Sequence, residues 1–301
     1  MERCALPRSA RIPDGTELGT KHVGGPAIDG FEQFAFASGR LAHAVYYAGD
    51  LRTPPLLLLP EIAGFSPRLR LFAKRLVEAR FRVFVPWLFG PFGRRAPLRN
   101  AIRLCVSREF ANLRAGVSSP ISTWIRELTA HISRHTGGAP IGAIGMCLTG
   151  AFAIPLIIDP RVTAAVAAQP SVPLSPLFVA LGIGGGRRLE QLNVSDDEIA
   201  QARARLSSGS AHLLAIRCRP DRICPRAKID RLQSEFPVGL EVLEYADAGT
   251  RNCLGERPHA TLTKEYRIVP NASTDHHSRR AFADLVTFFD RHLRSCRTLS
   301  P

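Results

Sequence analysis

A cysteine between two glycines stands where the sequence is best suited to nucleophilic chemistry. The segment IGAIGMCLTGAF, residues 141–152, places Cys147 between an apolar run that predicts a strand and one that predicts a helix. Gly145 and Gly150 flank it, as a tight strand-to-helix turn requires. A thiol at a helix N-terminus lies against free N–H groups and positive charge, which favours the thiolate. Cys147 is therefore the candidate nucleophile, although a cysteine in an isolated Gly-x-Cys is more often a small buried residue.

An acid should follow such a nucleophile in the chain, after a later strand. Asp221 comes directly after the apolar run AHLLAIRC and before a predicted helix that begins near a proline. Asp230 lies inside that predicted helix, and Asp247 follows the wrong strand. Asp221 is therefore the preferred acid.

A histidine should follow the last strand and act as the base. His259 lies in the long loop after the run VGLEVLEY, and His276 and His277 lie further along, before the closing helix. The adjacent pair is also typical of an exposed loop near a helix N-terminus. Position in the chain leaves all three histidines open.

Strands and helices alternate around these residues in the manner of βαβ units with a parallel sheet. Residues 31–38 and 41–49 predict an opening hairpin around Gly39, and the nearly continuous apolar run 55–60 predicts a strand buried on both faces. The later predicted elements are helix 69–80, strand 82–87, helix 121–135, strand 140–146, helix 148–159, strand 162–170, helix 196–206, strand 211–218, helix 227–236, strand 238–245 and helix 278–293. This order predicts an α/β fold.

The boundaries of the fold are set by changes in pattern. Residues 1–30 are rich in glycine, proline and charge and predict an irregular lead-in, so residues 31–301 are expected to form one domain. Residues 172–210 interrupt the alternation with proline-rich and glycine-rich stretches and predict a partial cap over the site. Ser273, Thr274 and Asp275 are the N-cap candidates of the closing helix.

Composition limits the classes of partner. The net charge is +14, but the arginines are spread along the chain without interleaved aromatic residues, so no nucleic acid is expected. The seven cysteines show no zinc-like spacing, and GIGGG at 182–186 opens no clear helix after a strand, so neither a metal nor a cofactor is expected. Without an apolar run of about 18 residues, we expect a cytoplasmic protein with no membrane span and a small-molecule partner.

Four segments resemble the dienelactone hydrolases (carboxymethylenebutenolidases) of the α/β-hydrolase superfamily. They are the run from LLLLPEIAG to WLFG at 56–90, GMCLTG at 145–150, RPDRICP at 219–225 and PHATLT at 258–263. Together they span nearly the whole chain. The resemblance implies an α/β-hydrolase fold with a mostly parallel central sheet and helices on both faces.

The resemblance also implies roles for individual residues. Cys147, Asp221 and His259 would form a triad, because PHATLT is similar to the histidine loop of a subset of the family. The backbone N–H groups of Ile62 and Leu148 would form the oxyanion hole. The implied activity is hydrolysis of an ester or lactone without a cofactor. The alternatives are a thioesterase or general carboxylesterase on the same fold, or a binding protein that has lost catalysis.

Three further positions bear on this resemblance. Glu61 stands where the family has a glutamate that contacts the resting cysteine and moves when substrate arrives, although Glu61 could instead cap the following helix. Thr149 replaces the usual glycine of the elbow. Thr263 replaces an arginine that holds the substrate carboxylate, a task that Lys264 or one of the many arginines could take over. The aromatic residues Trp87, Phe89 and Phe92 could line a pocket, but aromatics after a strand are more typical of a core.

Overall fold

One mixed sheet organises the part of the chain that the computed structural model describes, which is residues 24–90, 120–171, 190–192, 194–245, 259–263, 266 and 276–294. The strands are β1 (Glu32–Ser38), β2 (Leu41–Ala48), β3 (Pro55–Leu58), β4 (Arg82–Pro86), β5 (Ile141–Met146), β6 (Val162–Ala168), β7 (His212–Cys218) and β8 (Leu240–Tyr245). The α-helices are α1 (Pro67–Glu78), α2 (Pro120–His135), α3 (Ala153–Ile157), α4 (Asp196–Ser207), α5 (Arg226–Glu235) and α6 (His277–Phe289). A 3-10 helix, Cys147–Phe152, precedes α3, and a π-helical turn, Asp290–Arg294, follows α6.

The sheet is mostly parallel. Its strand order is β1-β2-β4-β3-β5-β6-β7-β8, so β3 lies between β4 and β5. The β1–β2 and β2–β4 pairs are antiparallel, and the remaining five pairs are parallel. The β1–β2 hairpin turns at Gly39, whose φ of 59° lies in the left-handed region that glycine adopts without strain. The predicted hairpin and parallel sheet are both confirmed.

Helices cover both faces of this sheet, and each face has its own apolar core. One core takes Trp124 and Leu128 from α2 and Leu232 from α5. The other takes Phe72 from α1 and Phe288 from α6. Because each helix is apolar along one stripe, it buries that stripe against the continuously apolar central strands. The predicted α/β-hydrolase architecture is confirmed.

Two local predictions differ from the structure. The helix predicted from residue 148 begins as a 3-10 helix, and the Thr149 side chain accepts a hydrogen bond from the Met146 backbone, which tightens its first turn. The N-cap of α6 is His276, so the prediction of 273–275 is wrong. Its imidazole accepts from the backbone N–H of Ser278, a task that we expected of a shorter polar side chain.

The predicted lead-in and cap are described only in part. Residues 1–23 and 172–189 lie outside the described residues. Within the predicted cap, α4 begins with a capping box in which Ser195 and Glu198 bond each other's backbone. Extension of one domain over residues 31–301 stays a prediction.

Candidate active site

Cys147 lies in a sharp turn at the carboxyl end of β5. Its φ is 55°, a conformation that non-glycine residues adopt only when the surroundings enforce it. A Cβ atom on Gly145 would lie 2.1 Å from the carbonyl oxygen of Thr149, and one on Gly150 would lie 2.8 Å from Cα of Pro170. The two glycines are therefore needed for close backbone approach, as the elbow pattern predicts.

Thr149 holds this turn against the neighbouring strand. Its side chain is fully buried, and Oγ1 accepts from the backbone N–H of Met146 at 2.9 Å. The same hydroxyl lies 3.0 Å from the carbonyl of Met146 and 3.3 Å from that of Leu59, just beyond β3. The residue that departs from the family pattern thus contributes hydrogen bonds that a glycine could not make.

Asp221 and His259 meet Cys147 in one line of hydrogen-bonding atoms. Asp221 follows β7 and is 2% exposed, and its Oδ2 lies 2.8 Å from Nδ1 of His259. Nε2 of the same imidazole lies 3.2 Å from Sγ of Cys147. The structure therefore brings together the three residues proposed from the sequence.

The surroundings of Asp221 fix its carboxylate. Oδ1 accepts from the backbone N–H groups of Ile223 at 2.9 Å and Cys224 at 3.1 Å. Oδ2, which faces His259, also accepts from Nε2 of Gln169 at 3.1 Å. An ionised carboxylate only accepts hydrogen bonds, and these donors satisfy it in a buried position.

The charges around His259 favour its protonated form. Burial by itself lowers the pKa of His259. The Coulombic attraction of Cys147 and the hydrogen bonds to Asp221 and Cys147 outweigh burial, so its pKa lies well above the ordinary value. An imidazolium beside the sulfur is the arrangement that stabilises a thiolate.

The competing residues lie elsewhere. Asp230 is on α5, where Arg226 Nε contacts it at 2.7 Å in an exposed pair. His276 and His277 are at the start of α6, and His277 is buried at 6% exposure instead of lying in an exposed loop. Asp247 falls outside the described residues. Asp221 and His259 are therefore the acid and the histidine that the fold places beside Cys147.

The other predicted site residues lie in the elbow itself and in the turn that follows β3. Ile62 lies in the turn that follows β3, and Leu148 is the second residue of the 3-10 helix. Glu61 accepts a short hydrogen bond from the hydroxyl of Thr263. The alternative that Glu61 caps α1 is wrong, because Ser66 is the N-cap and accepts from the N–H of Leu69 at 3.3 Å.

Two residues of the site were not identified from the sequence, Gln169 and Ser171. Oγ of Ser171 lies 3.4 Å from Sγ of Cys147, and its N–H donates to the Cys147 carbonyl at 3.0 Å. Gln169 contacts Asp221 as described above. Both are polar and follow the apolar strand β6 at the carboxyl edge of the sheet, where binding residues of α/β folds collect. That position was the available signal.

A small, mostly apolar cavity adjoins the elbow. Its lining includes Ile154, Ser171, Leu192 and Lys228. Burial lowers the pKa of Lys228 to about 8. Lys264 and Phe92, the candidates for substrate contact in the sequence, lie outside the described residues. Trp87 and Phe89 are buried core residues at 8% and 4% exposure.

The described residues contain no group of three or more His, Cys, Asp or Glu side chains placed to hold a metal ion. In the same part of the chain, every helix is too short or too polar to cross a membrane.

Comparison with known proteins places the chain in a family. The sequence model of the dienelactone hydrolase family matches residues 42–204, which is more than half of the chain. The chain belongs to the dienelactone hydrolase family. No curated protein matches it significantly.

Solved structures of dienelactone hydrolases share the fold. A protein from Klebsiella pneumoniae subsp. pneumoniae described as a dienelactone hydrolase is similar with a TM-score of 0.60 and 13% identity, covering 87% of this chain and 98% of that one. The dienelactone hydrolase of Anabaena variabilis is similar with a TM-score of 0.53 and 13% identity, covering 88% of this chain and 99% of that one. A dienelactone hydrolase-like promiscuous phosphotriesterase from metagenomic libraries has a TM-score of 0.56 and 14% identity, covering 87% of this chain and 98% of that one. These identities show a shared fold, and the family membership makes the chain a hydrolase.

Proposed function

We propose that this dienelactone hydrolase family member cleaves ester or lactone bonds through a cysteine nucleophile. Cys147 is the nucleophile, His259 the proton carrier and Asp221 the residue that orients the imidazole. The observation that carries the proposal is the continuous contact from Asp221 Oδ2 through His259 to Cys147 Sγ, with distances of 2.8 and 3.2 Å. Membership of the family supports a hydrolase with this architecture.

Acylation follows from this arrangement. The thiol proton passes to Nε2 of His259, and the sulfur adds to the carbonyl carbon of the substrate. Backbone N–H groups of Ile62 and Leu148 bind the oxyanion, an interaction worth about 3 kcal/mol per donor in other hydrolases. The imidazolium then protonates the departing alkoxide as the carbon–oxygen bond breaks. A thioester on Cys147 remains.

Deacylation uses the same groups in the reverse sense. His259 takes a proton from water, and the resulting hydroxide adds to the thioester carbonyl. Collapse of this second oxyanion intermediate breaks the carbon–sulfur bond and releases the carboxylic acid. The imidazolium returns its proton to the released sulfur, which restores the starting thiol, and the proposed cycle calls for no metal or organic cofactor.

Glu61 has a regulatory part in the proposal. A carboxylate beside the elbow disfavours a second negative charge on the sulfur, since like charges repel. The hydrogen bond from Thr263 supports a defined position for this carboxylate. Movement of Glu61 on substrate binding would then release the thiolate for attack.

Hydrolysis assays with matched variants test the function. We would measure the hydrolysis of p-nitrophenyl acetate, of a panel of lactones and of a panel of thioesters. The proteins compared are wild type, Cys147→Ala, His259→Ala and His276→Asn. The first two variants should lose activity, while the third should keep it because asparagine can still cap α6. The preferred panel identifies the substrate class. Activity that survives in Cys147→Ala would contradict the proposal.

A further inference from the structure

Gln169 occupies a strained backbone position directly after β6. Its φ is 50°, and it is one of only three non-glycine residues with positive φ in the described chain, together with Arg80 and Cys147. Its side chain is buried at 2% exposure, and its backbone N–H extends the ladder to the carbonyl of Ile216 at 2.7 Å. Strain of this kind persists only where surrounding contacts enforce it, and such positions cluster at functional sites.

Both ends of the Gln169 amide are engaged. Nε2 donates to Oδ2 of Asp221 at 3.1 Å, and Oε1 accepts from the backbone N–H of Thr261 at 2.8 Å. A carboxylate can only accept and a backbone N–H can only donate, so these partners fix the orientation of the amide. A single side chain therefore spans from the acid loop to the histidine loop.

The acid loop and the histidine loop meet at the imidazole of His259, which must be aligned with the sulfur of Cys147. Oδ2 of Asp221 is the oxygen that also contacts His259, and Thr261 is only two residues beyond His259. Thr261 is held from its other side, where its hydroxyl lies 3.1 Å from Sγ of Cys218 at the end of β7. Rotation of the imidazole away from the sulfur would require movement of contacts that Gln169 restrains.

We propose that Gln169 is a positioning residue that holds Asp221 and the His259 loop in alignment with Cys147. The inference rests on the proposed function. Gln169 acts through Asp221 and His259 and has no described contact with Cys147. An unrestrained loop would sample misaligned imidazole orientations, and displacements of about 1 Å reduce rates strongly in other enzymes.

Two substitutions separate alignment from stability. Gln169→Asn keeps an amide and tolerates positive φ better than glutamine, but its side chain is one methylene shorter and cannot hold both partners. Gln169→Met keeps the length and removes both polar contacts. Gln33→Asn is the matched control, because Gln33 also uses both ends of its amide, on the backbone of Gly25, far along the chain from the elbow.

The experiment measures ester hydrolysis, the rate of Cys147 alkylation by iodoacetamide and urea unfolding for each full-length variant. In both Gln169 variants, kcat/KM should fall about 10- to 100-fold, as for loss of a hydrogen bond to a charged group. The fall should appear in kcat with KM little changed. Alkylation of Cys147 should slow in parallel. Gln169→Asn should stay folded, and its urea midpoint should fall less than that of Gln169→Met, which loses both contacts. Gln33→Asn should match wild type in all three measurements.

The outcomes distinguish this inference from the function on which it rests. Wild-type kcat and alkylation in Gln169→Asn, with inactive Cys147→Ala and His259→Ala, would overturn the role of Gln169 and leave the triad standing. Loss of stability with unchanged alkylation would assign Gln169 a structural role and also overturn the inference. Activity in Cys147→Ala would overturn both proposals.

Discussion

Replacement of Thr149 by valine removes one hydroxyl from the elbow and leaves its shape nearly unchanged. In the native protein this hydroxyl accepts from the N–H of Met146 at 2.9 Å and lies 3.3 Å from the carbonyl of Leu59. The side chain has no exposed surface, so water cannot replace these contacts. Thr149→Val therefore leaves a buried donor without an acceptor.

The cost follows from that orphaned donor. An unsatisfied buried N–H costs about 1–3 kcal/mol, and an under-satisfied carbonyl costs less because it has two lone pairs. We expect Thr149→Val to lower the free energy of unfolding by about 2–3 kcal/mol. Thr287→Val is the control, since Thr287 also donates to a backbone carbonyl, that of Ala283 at 3.0 Å, but on the exposed side of α6. Its effect should stay within about 0.5 kcal/mol.

Urea unfolding followed by tryptophan fluorescence is the appropriate assay. The chain has two tryptophans, Trp87 and Trp124, and both are buried at 8% and 1% exposure. Their emission should change when the core opens. If Thr149→Val were as stable as Thr287→Val, the hydrogen bonds of the elbow would contribute nothing net, and the explanation of why threonine replaces glycine here would be refuted.

Two further predictions concern pH and backbone contact. Burial and the Coulombic effects of His135 and Arg134 lower the pKa of His131 to about 4. Between pH 6.5 and 4 the unfolded chain therefore binds a proton that the folded chain does not bind. The stability contribution is present above pH 6.5 and is lost as pH falls toward 4. After a discount for solvent screening at this half-buried position, wild type should lose about 1 kcal/mol more free energy of unfolding between pH 7.5 and 5 than His131→Phe, and equal losses would contradict the prediction. In the same assay, Gly145→Ala should lower the free energy of unfolding by at least about 2 kcal/mol, because its Cβ would lie 2.1 Å from a backbone carbonyl oxygen. Gly24→Ala is the control and should leave that free energy unchanged, because no atom lies within 4 Å of its Cβ.

The sheet was predictable from the sequence because its strands are short apolar runs of distinctive pattern. Buried central strands need apolar residues on both faces, and the runs around residues 56 and 141 satisfy that need without interruption. Cys147 and Asp221 could be proposed from their order relative to those strands. His259 could not be separated from His276 by pattern, since both follow the last strand, and the family resemblance made that choice.

The remaining contacts of the site depend on residues that are distant in the chain. Thr149 contacts a carbonyl ninety residues earlier, and Glu61 and Thr263 are separated by 202 residues. Gln169 reaches Asp221 across 52 residues. Neither the periodicity nor the local spacing of residues in the sequence predicts such long-range contacts. They appear only after the sheet aligns the carboxyl ends of its strands.

Trapping of the acyl-enzyme tests directly whether Cys147 is the nucleophile. We would mix the protein with p-nitrophenyl acetate, quench it in acid during turnover, digest it and locate the added acetyl group by mass spectrometry. We predict one acetyl group on the peptide that contains Cys147, held in a thioester that neutral hydroxylamine cleaves. Neither Cys147→Ser nor Cys147→Ala should form this thioester. Turnover at the wild-type rate in Cys147→Ala, with the acetyl group on another residue or on none, would contradict it.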